Sequence, residues 1–282
     1  MALNTNSNSE KLYISIEQKE YLLDFLLNQY QLDLNEYSEA SVRRRITKMM
    51  NDLNLKSTEQ LANYLQNRPN GKNEFLQKFT VNVTEMFRDP SFFEFLKSDI
   101  FPKLNKLEII NIWSAGCSSG EETISLAIFL HEAELLHKCN IIGSDISRSI
   151  LKKAKANVYP GRNVQGYSKA YEQANGLSKL DDYFVSSGDN ISFEPFLLEK
   201  INYQPINLMN GIFYRHFDLI LCRNVLIYFQ ASLQNKVLDN FYRALKPEGY
   251  LGLGSKESIL FYQKRENFQE INGEHKVYRK FK

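Results

Sequence analysis

Apolar and polar residues alternate with a helical period through the first quarter of the chain. Across residues 16–66, apolar side chains recur every three or four positions, which predicts helices that each present one apolar face. Ser38 and Ser57 stand directly before the second and third periodic stretches, in positions typical of helix N-caps. Residues 68–71 have the composition of a turn. Because no strand pattern appears here, we predict an all-α N-terminal domain over residues 1–79.

The hydrophobic pattern changes after this domain. Residues 80–91 are predicted to form a linker, in which Asp89 and Pro90 fit the N-cap and first position of a helix. Further on, short apolar runs alternate with helical periods. The predicted strands are 109–113, 140–144, 217–222 and 250–254, and the predicted helices are 121–136, 150–156 and 233–245. This order predicts an α/β domain over residues 92–282, with a Rossmann-like, doubly wound, mostly parallel sheet.

Residues 158–203 interrupt that alternation. They contain turn residues, aromatic residues and short apolar runs at 183–185 and 191–193. The segment is too long for an ordinary loop in a compact domain. We therefore predict a small inserted β subdomain.

Composition narrows the class of protein. The 282 residues are 43% hydrophobic and 24% charged, and the formal net charge of +2 does not favour a nucleic-acid-binding protein. No apolar run approaches the roughly 18 to 20 residues that span a bilayer, and residues 1–10 do not resemble a signal peptide. Three widely spaced cysteines favour a reducing compartment. We expect a cytoplasmic protein that neither enters a membrane nor binds nucleic acid.

A glycine turn between a predicted strand and a predicted helix carries the first chemical signal. Gly116 permits a tight turn and Gly120 lets the backbone approach a ligand closely. The spacing is neither that of a dinucleotide-binding turn nor that of a P-loop. Glu121 and Glu122 then open the helix, where they would repel a pyrophosphate. These features disfavour NAD and ATP, and they favour a nucleoside cofactor such as S-adenosylmethionine.

Two further segments follow predicted strands. Asp145 ends the next strand, where a carboxylate can accept both ribose hydroxyl hydrogens. Arg223 and Asn224 follow the strand at 217–222, and the carboxyl ends of parallel strands form the ligand edge of such sheets. The alternative is that the glycines and Asp145 are turn and cap residues, and that Asn224 caps a helix beside a solvated Arg223.

Together these residues resemble the CheR family of S-adenosylmethionine-dependent protein-glutamate methyltransferases of bacterial chemotaxis. The match extends from about Tyr21 to Glu257. Its most specific parts are residues 82–88, 113–122, 144–146, 207–208 and 222–229. The glycine turn alone indicates only the cofactor class, whereas the first and last of these segments are typical of the family.

The resemblance implies roles for individual residues. Arg88 and Tyr228 would lie closest to the transferred methyl group. Asp145 would hold the ribose, Asn207 and Leu208 would flank the adenine, and the product would be S-adenosylhomocysteine. The full set of implied cofactor-binding residues is Asn82, Thr84, Arg88, Gly116, Glu122, Asp145, Asn207, Leu208, Arg223 and Asn224.

The chemistry of methyl transfer agrees with this set. A glutamate carboxylate is already ionised at pH 7, because the pKa of an unperturbed glutamate side chain is about 4.3, so no general base is needed. The enzyme must instead orient the carboxylate and exclude water. His131 and His137 lie six residues apart, a poor spacing for one metal on a helix face, and we predict no metal site.

The predicted partner is the cytoplasmic helical bundle of a chemotaxis receptor. The densest basic run could meet acidic side chains there, although a solvated helix face is the alternative. This run consists of Arg43, Arg44, Arg45 and Lys48. The insert has a single glycine, Gly188, where receptor-tail-binding members carry a glycine-rich hairpin, so we do not expect tail tethering. We expect a monomer.

Two other functions remain open at this point. The first is a methyltransferase of the same fold that acts on another protein substrate. The second is a signalling module that binds the cofactor without turnover. Arg88 and Tyr228 argue against the second.

Overall fold

The computed structural model describes residues 14–80, 84–209 and 216–281. The chain forms two compact units, Met1–Thr80 and Val81–Lys282. No helix among the described residues is long and apolar enough to cross a membrane. Asn82, one of the predicted cofactor residues, lies outside the described ranges.

The first unit is helical. Its helices are α1 (Ile16–Tyr30), α2 (Glu39–Asp52), α3 (Thr58–Gln66) and α4 (Gly71–Phe79). The Ser57 hydroxyl caps α3 by accepting from Gln60 N, as its position predicts. Ser38 occupies the N-cap position of α2, but its hydroxyl donates to Ser41 Oγ and does not cap the backbone. The sequence pattern missed α4, because the predicted helices ended at the turn before Gly71.

The second unit contains the remaining helices and all ten strands of the described residues. The helices are α5 (Pro90–Phe95), α6 (Phe101–Leu104), α7 (Glu121–Glu132), α8 (Arg148–Ala156), α9 (Val164–Gln173), α10 (Pro195–Leu198) and α11 (Ala231–Ala244). The strands are β1 (Ile110–Ala115), β2 (Cys139–Asp145), β3 (Tyr159–Pro160), β4 (Phe184–Ser187), β5 (Asn190–Phe193), β6 (Ile201–Pro205), β7 (Phe217–Cys222), β8 (Leu245–Leu253), β9 (Phe268–Asn272) and β10 (Val277–Lys280).

Seven strands form the main sheet in the order β6-β2-β1-β7-β8-β10-β9. The pairs among β6, β2, β1, β7 and β8 are all parallel, whereas β10 runs antiparallel to β8 and β9. The predicted α/β class is therefore confirmed. The chain proceeds from β1 outward through β2 to β6 and then returns to β7 on the other side of β1. This reversal creates a switch point between β1 and β7, where open α/β sheets bind ligands.

The strands are apolar because both faces of the sheet are covered. Every residue of β7 is buried, and Trp113 of β1 is fully enclosed. The Trp113 indole donates to Ser144 Oγ of β2 at 2.8 Å, so this polar atom of the core has a partner. Helix α7, which follows the glycine turn, is also buried over most of its length.

A second sheet of three strands, β3-β5-β4, is antiparallel and lies within the predicted insert together with α9. The predicted insert extended to residue 203, but Ile201–Pro205 is a strand of the main sheet. Residues 246–249 lie within β8, where the pairing with β7 is irregular: Phe217 pairs with Leu245, whereas Leu219 pairs with Tyr250. The antiparallel strands β9 and β10 were not predicted.

Candidate active site

Apart from Thr84 and Arg88, the predicted site residues of the second unit lie at or after the carboxyl ends of adjacent parallel strands. The glycine turn follows β1, Asp145 ends β2, and Arg223 and Asn224 follow β7. Asn207 and Leu208 follow β6, and Ile206 N donates to Asp145 O at 3.1 Å. Because these strands are neighbours in the sheet, the segments meet at one edge.

The glycine turn depends on its two glycines. Gly116 has a φ of 78° and Gly120 a φ of 96°, in the left-handed region that side chains disfavour. A Cβ on Gly116 would lie 2.5 Å from Val225 Cγ2, and one on Gly120 would lie 2.6 Å from the Tyr203 hydroxyl oxygen. The turn is thus packed directly against the segment that follows β7.

Asp145 is held by backbone N–H groups at the end of β2. Its Oδ2 accepts from Ser118 N at 3.1 Å, and its Oδ1 accepts from Ser147 N at 2.9 Å. Burial raises the pKa of the Asp145 carboxyl, and the backbone hydrogen bonds oppose that rise. Each carboxylate oxygen can accept a further hydrogen bond, so the group remains suited to a pair of hydroxyls.

The two glutamates that open α7 have different partners. Glu121 is buried and accepts from Ser119 Oγ, and burial raises the pKa of its carboxyl. Glu122 accepts from Ser114 Oγ at 3.1 Å through Oε1. Its Oε2 pairs with Arg223 Nη1 at 3.3 Å. Negative charge at this helix start is stabilised by the helix dipole.

The Arg223 guanidinium is the central cation of this edge. Its side chain is 0% exposed and lies 4.1 Å above the Phe92 ring. Nη2 pairs with Asp89 Oδ2 at 2.6 Å and donates to Arg88 O at 3.0 Å. The alternative of a solvated Arg223 is therefore wrong. Asp89 occupies the predicted N-cap position of α5, with Pro90 as the first helical residue, but its carboxylate binds Arg223 and makes no cap hydrogen bond.

Arg88 lies in a strained segment. The residues on either side, Phe87 and Asp89, have φ values of 54° and 56°, which are uncommon for residues with side chains. Phe87 N donates to Ser125 Oγ of α7 at 2.8 Å, and Arg223 binds the Arg88 carbonyl. The Arg88 side chain remains one-third exposed, with Nε 3.8 Å from Glu85 Oε1. Buried anchors on both sides thus present an accessible guanidinium.

The segment after β7 forms a short turn. Asn224 has a φ of 61°, and residues Leu226–Tyr228 form one turn of 3₁₀ helix. Tyr228 is partly exposed. A carboxylate that sequence reasoning assigned no role, Glu257, accepts hydrogen bonds from Asn224 N and Val225 N. The sequence signal that could have pointed to Glu257 is its position, as a charged residue four positions after the apolar strand β8.

The remaining predicted cofactor residues have less direct ties to this edge. Leu208 is buried, and its carbonyl accepts from Asn240 Nδ2 at 3.3 Å. Asn207 Oδ1 accepts from Met209 N at 3.0 Å, so the side chain stabilises its own turn. Thr84 is half-buried at the start of the described part of the second unit.

The basic run of α2 does not form a single exposed face. The Arg45 side chain is buried, and its guanidinium lies 5.2 Å from the Phe79 ring centroid. Its assignment to substrate binding is therefore corrected, since a carboxylate of another protein cannot reach it. Arg43 pairs with Glu39 and donates to Ile14 O. The exposed members of the run are Arg44 and Lys48, and Lys48 also pairs with Asp52.

The residues at the sheet edge fit S-adenosylmethionine. Ser118 Oγ and Asn224 Oδ1 are buried and have no hydrogen-bond partner within the described part of the chain. Such atoms ordinarily have partners, and the amino-acid and nucleoside groups of this cofactor can supply them. Together with Asp145, they form a donor and acceptor set without a phosphate site. The described residues contain no cluster of side chains that could hold a metal ion.

Comparison with known proteins gives matches along both units. Residues 17–80 match the family described as CheR methyltransferase, all-alpha domain, and residues 82–277 match CheR methyltransferase, SAM binding domain. Cher3 of Pseudomonas putida, named as a methyltransferase, is 32% identical over 259 residues, which cover 92% of this chain and 95% of the relative. The chemotaxis protein methyltransferase of Borreliella burgdorferi is 31% identical over 273 residues, covering 91% and 94%.

Likeness to solved structures is weaker. The N-methyltransferase NodS from Bradyrhizobium japonicum, solved with S-adenosylhomocysteine, is 15% identical with a TM-score of 0.39. That alignment covers 79% of this chain and 97% of NodS.

The parallel sheet, the glycine turn without a phosphate site and the carboxylate after β2 define an S-adenosylmethionine-binding methyltransferase. Within that class, the chain belongs to the CheR methyltransferase family, which matches almost its whole length. The predicted family and the predicted cofactor are both confirmed.

Proposed function

We propose that the protein transfers the methyl group of S-adenosylmethionine to glutamate side chains of chemotaxis receptors, forming glutamyl methyl esters during sensory adaptation. The observation that carries this proposal is the accessible Arg88 guanidinium, on a residue whose backbone carbonyl is bound by Arg223. A guanidinium binds a carboxylate through two parallel hydrogen bonds, and so it selects and orients this acceptor group. Relatives named as chemotaxis protein methyltransferases support the choice of receptors as substrates.

The chain has to position a nucleophile that is already active. When bound, the sulfonium of S-adenosylmethionine supplies an electrophilic methyl group. Arg88 would fix the angle of the substrate carboxylate, and the partly exposed Tyr228 would add one hydrogen bond from the opposite segment. Orientation of this kind can contribute as much as roughly 7 to 11 kcal/mol to lowering the barrier. No group of the chain needs to remove a proton from the substrate.

The cofactor would be held by the segments that meet at the sheet edge. Asp145 would accept from the ribose hydroxyls, and Leu208 would supply an apolar surface beside the adenine. The unpartnered Asn224 Oδ1 would accept from the amino group at the methionine end. Glu122 is already bound to Arg223, and so we assign it to fixing the Arg88 segment from the side of α7.

We further propose that the receptor's acidic helices meet α2 through Arg44 and Lys48. Both side chains are exposed cations on one helix, four residues apart, and so they share a face. Exposed charges of this kind raise association rates and set orientation more than they raise affinity.

A transfer assay with tritium-labelled S-adenosylmethionine and receptor-containing membranes tests the function. We expect label in the receptor band and its release as volatile methanol in mild base, since methyl esters are base-labile. Label that resists base would indicate another acceptor group, and it would contradict glutamate esterification. Binding of S-adenosylhomocysteine without any transfer would instead indicate a module that binds the cofactor without turnover.

Arg88→Lys provides a matched variant for the same assay. Lysine keeps the positive charge but cannot make the bidentate contact. We expect transfer to fall by about 10- to 100-fold, within the range by which a misplaced reactant slows a reaction. The affinity for S-adenosylhomocysteine should change much less. Equal transfer rates would remove Arg88 from the mechanism.

A further inference from the structure

Glu257 is a buried carboxylate outside the proposed set of catalytic and cofactor-binding residues. It lies four residues beyond the end of β8, and only 4% of its surface is exposed. A buried carboxylate is costly unless hydrogen bonds replace its lost hydration. The Glu257 carboxylate therefore needs strong hydrogen-bond donors.

Those partners are backbone N–H groups from two segments. Oε2 accepts from Gly254 N at 2.7 Å and from Asn224 N at 2.9 Å. Oε1 accepts from the next three N–H groups of the same turn, at 2.8, 2.6 and 3.3 Å. These donors belong to Val225, Leu226 and Ile227. Consecutive N–H groups that converge in this way form an anion-binding nest, and here the anion is a side chain of the same protein.

Burial and hydrogen bonding act on this carboxyl in opposite directions. Burial raises its pKa, whereas the backbone N–H groups favour the ionised form and oppose that rise. Gly254 also leaves little room for rearrangement, since a Cβ there would lie 2.8 Å from both Asn224 N and Glu257 Oε2.

The turn whose N–H groups bind Glu257 contains two of the residues assigned to the reaction. Asn224 stands at its start with a left-handed backbone, and Tyr228 stands at its end. On the far side of the turn, Gln234 Nε2 donates to Leu226 O and Phe229 O at 3.0 and 3.1 Å. The turn is therefore held by a carboxylate at its N–H groups and by an amide at its carbonyls.

We propose that Glu257 is a positioning residue that sets the conformation of the Asn224–Tyr228 turn, and thereby the affinity for the cofactor and the placement of Tyr228. The part of this inference that concerns Tyr228 rests on the proposed function. The effect of Glu257 on cofactor affinity does not depend on which substrate is methylated.

Glu257→Gln is the direct test, because it preserves size while replacing one acceptor oxygen by an amide that faces N–H donors. Glu266→Gln is the matched control, since Glu266 is an exposed glutamate nine residues further along the chain. Loss of hydrogen bonds to a buried charged group predicts S-adenosylhomocysteine binding weakened by about 10- to 100-fold in calorimetry. Glu266→Gln should bind within about twofold of the unchanged protein.

The measurement has to separate positioning from general stability. Calorimetry is therefore performed well below the melting temperature of each variant, which circular dichroism supplies. A folded Glu257→Gln variant that binds S-adenosylhomocysteine like the control would overturn the proposal, even if it melts earlier. If that variant does not fold, Glu257→Asp takes its place, since it keeps the charge but shortens the reach. A folded Glu257→Asp variant with unchanged affinity would overturn the proposal in the same way.

Methyl transfer supplies the second readout. With cofactor saturating, Glu257→Gln should still transfer more slowly than the control, because Tyr228 remains displaced. Recovery of the full rate at saturation would contradict that part of the proposal. If the unchanged protein binds S-adenosylhomocysteine but methylates no receptor, the proposed function fails, whereas the affinity test of Glu257 keeps its meaning.

Discussion

Replacing Arg223 by lysine probes the arrangement on which the proposed active site depends. The guanidinium reaches Glu122 through one terminal nitrogen, and Asp89 and the Arg88 carbonyl through the other. A lysine ammonium is a single point and cannot occupy both positions. If lysine keeps the contacts of Nη2, then Glu122 loses its cation. If it keeps Glu122, the Arg88 segment loses its anchor.

The expected loss of stability follows from the exposure of each partner. A hydrogen bond to a charged group contributes about 1.5–3 kcal/mol when solvent cannot replace it, as for Glu122, whose side chain is 13% exposed. The Asp89 side chain is 42% exposed, so its contribution is discounted to about 0–1 kcal/mol. Because lysine can keep only one of these positions, and the loss of Glu122 is the larger effect, we expect Arg223→Lys to destabilise the second unit by about 1.5–3 kcal/mol. For a domain of this size, the melting temperature should fall by about 3–12 °C.

Thermal unfolding followed by circular dichroism measures this effect, with Arg243→Lys as the control. Arg243 makes an ion pair with Asp239 one helical turn away, but its side chain is 65% exposed. This control should stay within about 0.5 kcal/mol of the unchanged protein. Receptor methylation by Arg223→Lys should also fall by about 10- to 100-fold, because Arg88 is no longer held. Melting and methylation equal to those of Arg243→Lys would contradict the role of Arg223 as the anchor of the Arg88 segment.

Three further predictions concern other parts of the molecule. Burial raises the pKa of Asp145 above its usual value. As the pH falls toward that raised pKa, the carboxylate becomes protonated and S-adenosylhomocysteine binding should weaken. In Asp145→Asn, calorimetry should show weaker binding without this pH dependence. Gly116→Ala puts a residue with a side chain in the left-handed region and places its Cβ 2.5 Å from Val225 Cγ2. It should destabilise the protein by about 1–3 kcal/mol, which a lower melting temperature would show. Arg44→Glu should raise the KM for receptor several-fold with little change in kcat. The control Lys72→Glu, at another exposed position of the first unit, should change neither constant. Equal KM values for the two variants would contradict docking through α2.

The hydrophobic pattern by itself was sufficient for the α/β class and for the parallel strands at its centre. Alternating strand and helix periods are local properties, and a right-handed connection between parallel strands leaves few arrangements of the sheet. The same pattern located the glycine turn, Asp145 and the segment after β7, because each follows an apolar strand. The pattern missed three regions, namely α4 after its turn, the parallel strand β6, and the antiparallel pair β9 and β10.

The tertiary structure alone decided which charged side chains are buried and which partners they have. Asp89 occupies the N-cap position that the sequence predicts, but Arg223, 134 residues later in the chain, binds its carboxylate. Arg45 looked like part of a basic surface, but it packs over Phe79. Glu257 was assigned no role from the sequence, although it binds the turn after β7. The periodicity of apolar residues along a segment determines which of its faces is apolar. The free-energy cost of desolvating a buried ion, in contrast, is offset only by partners that the fold brings together.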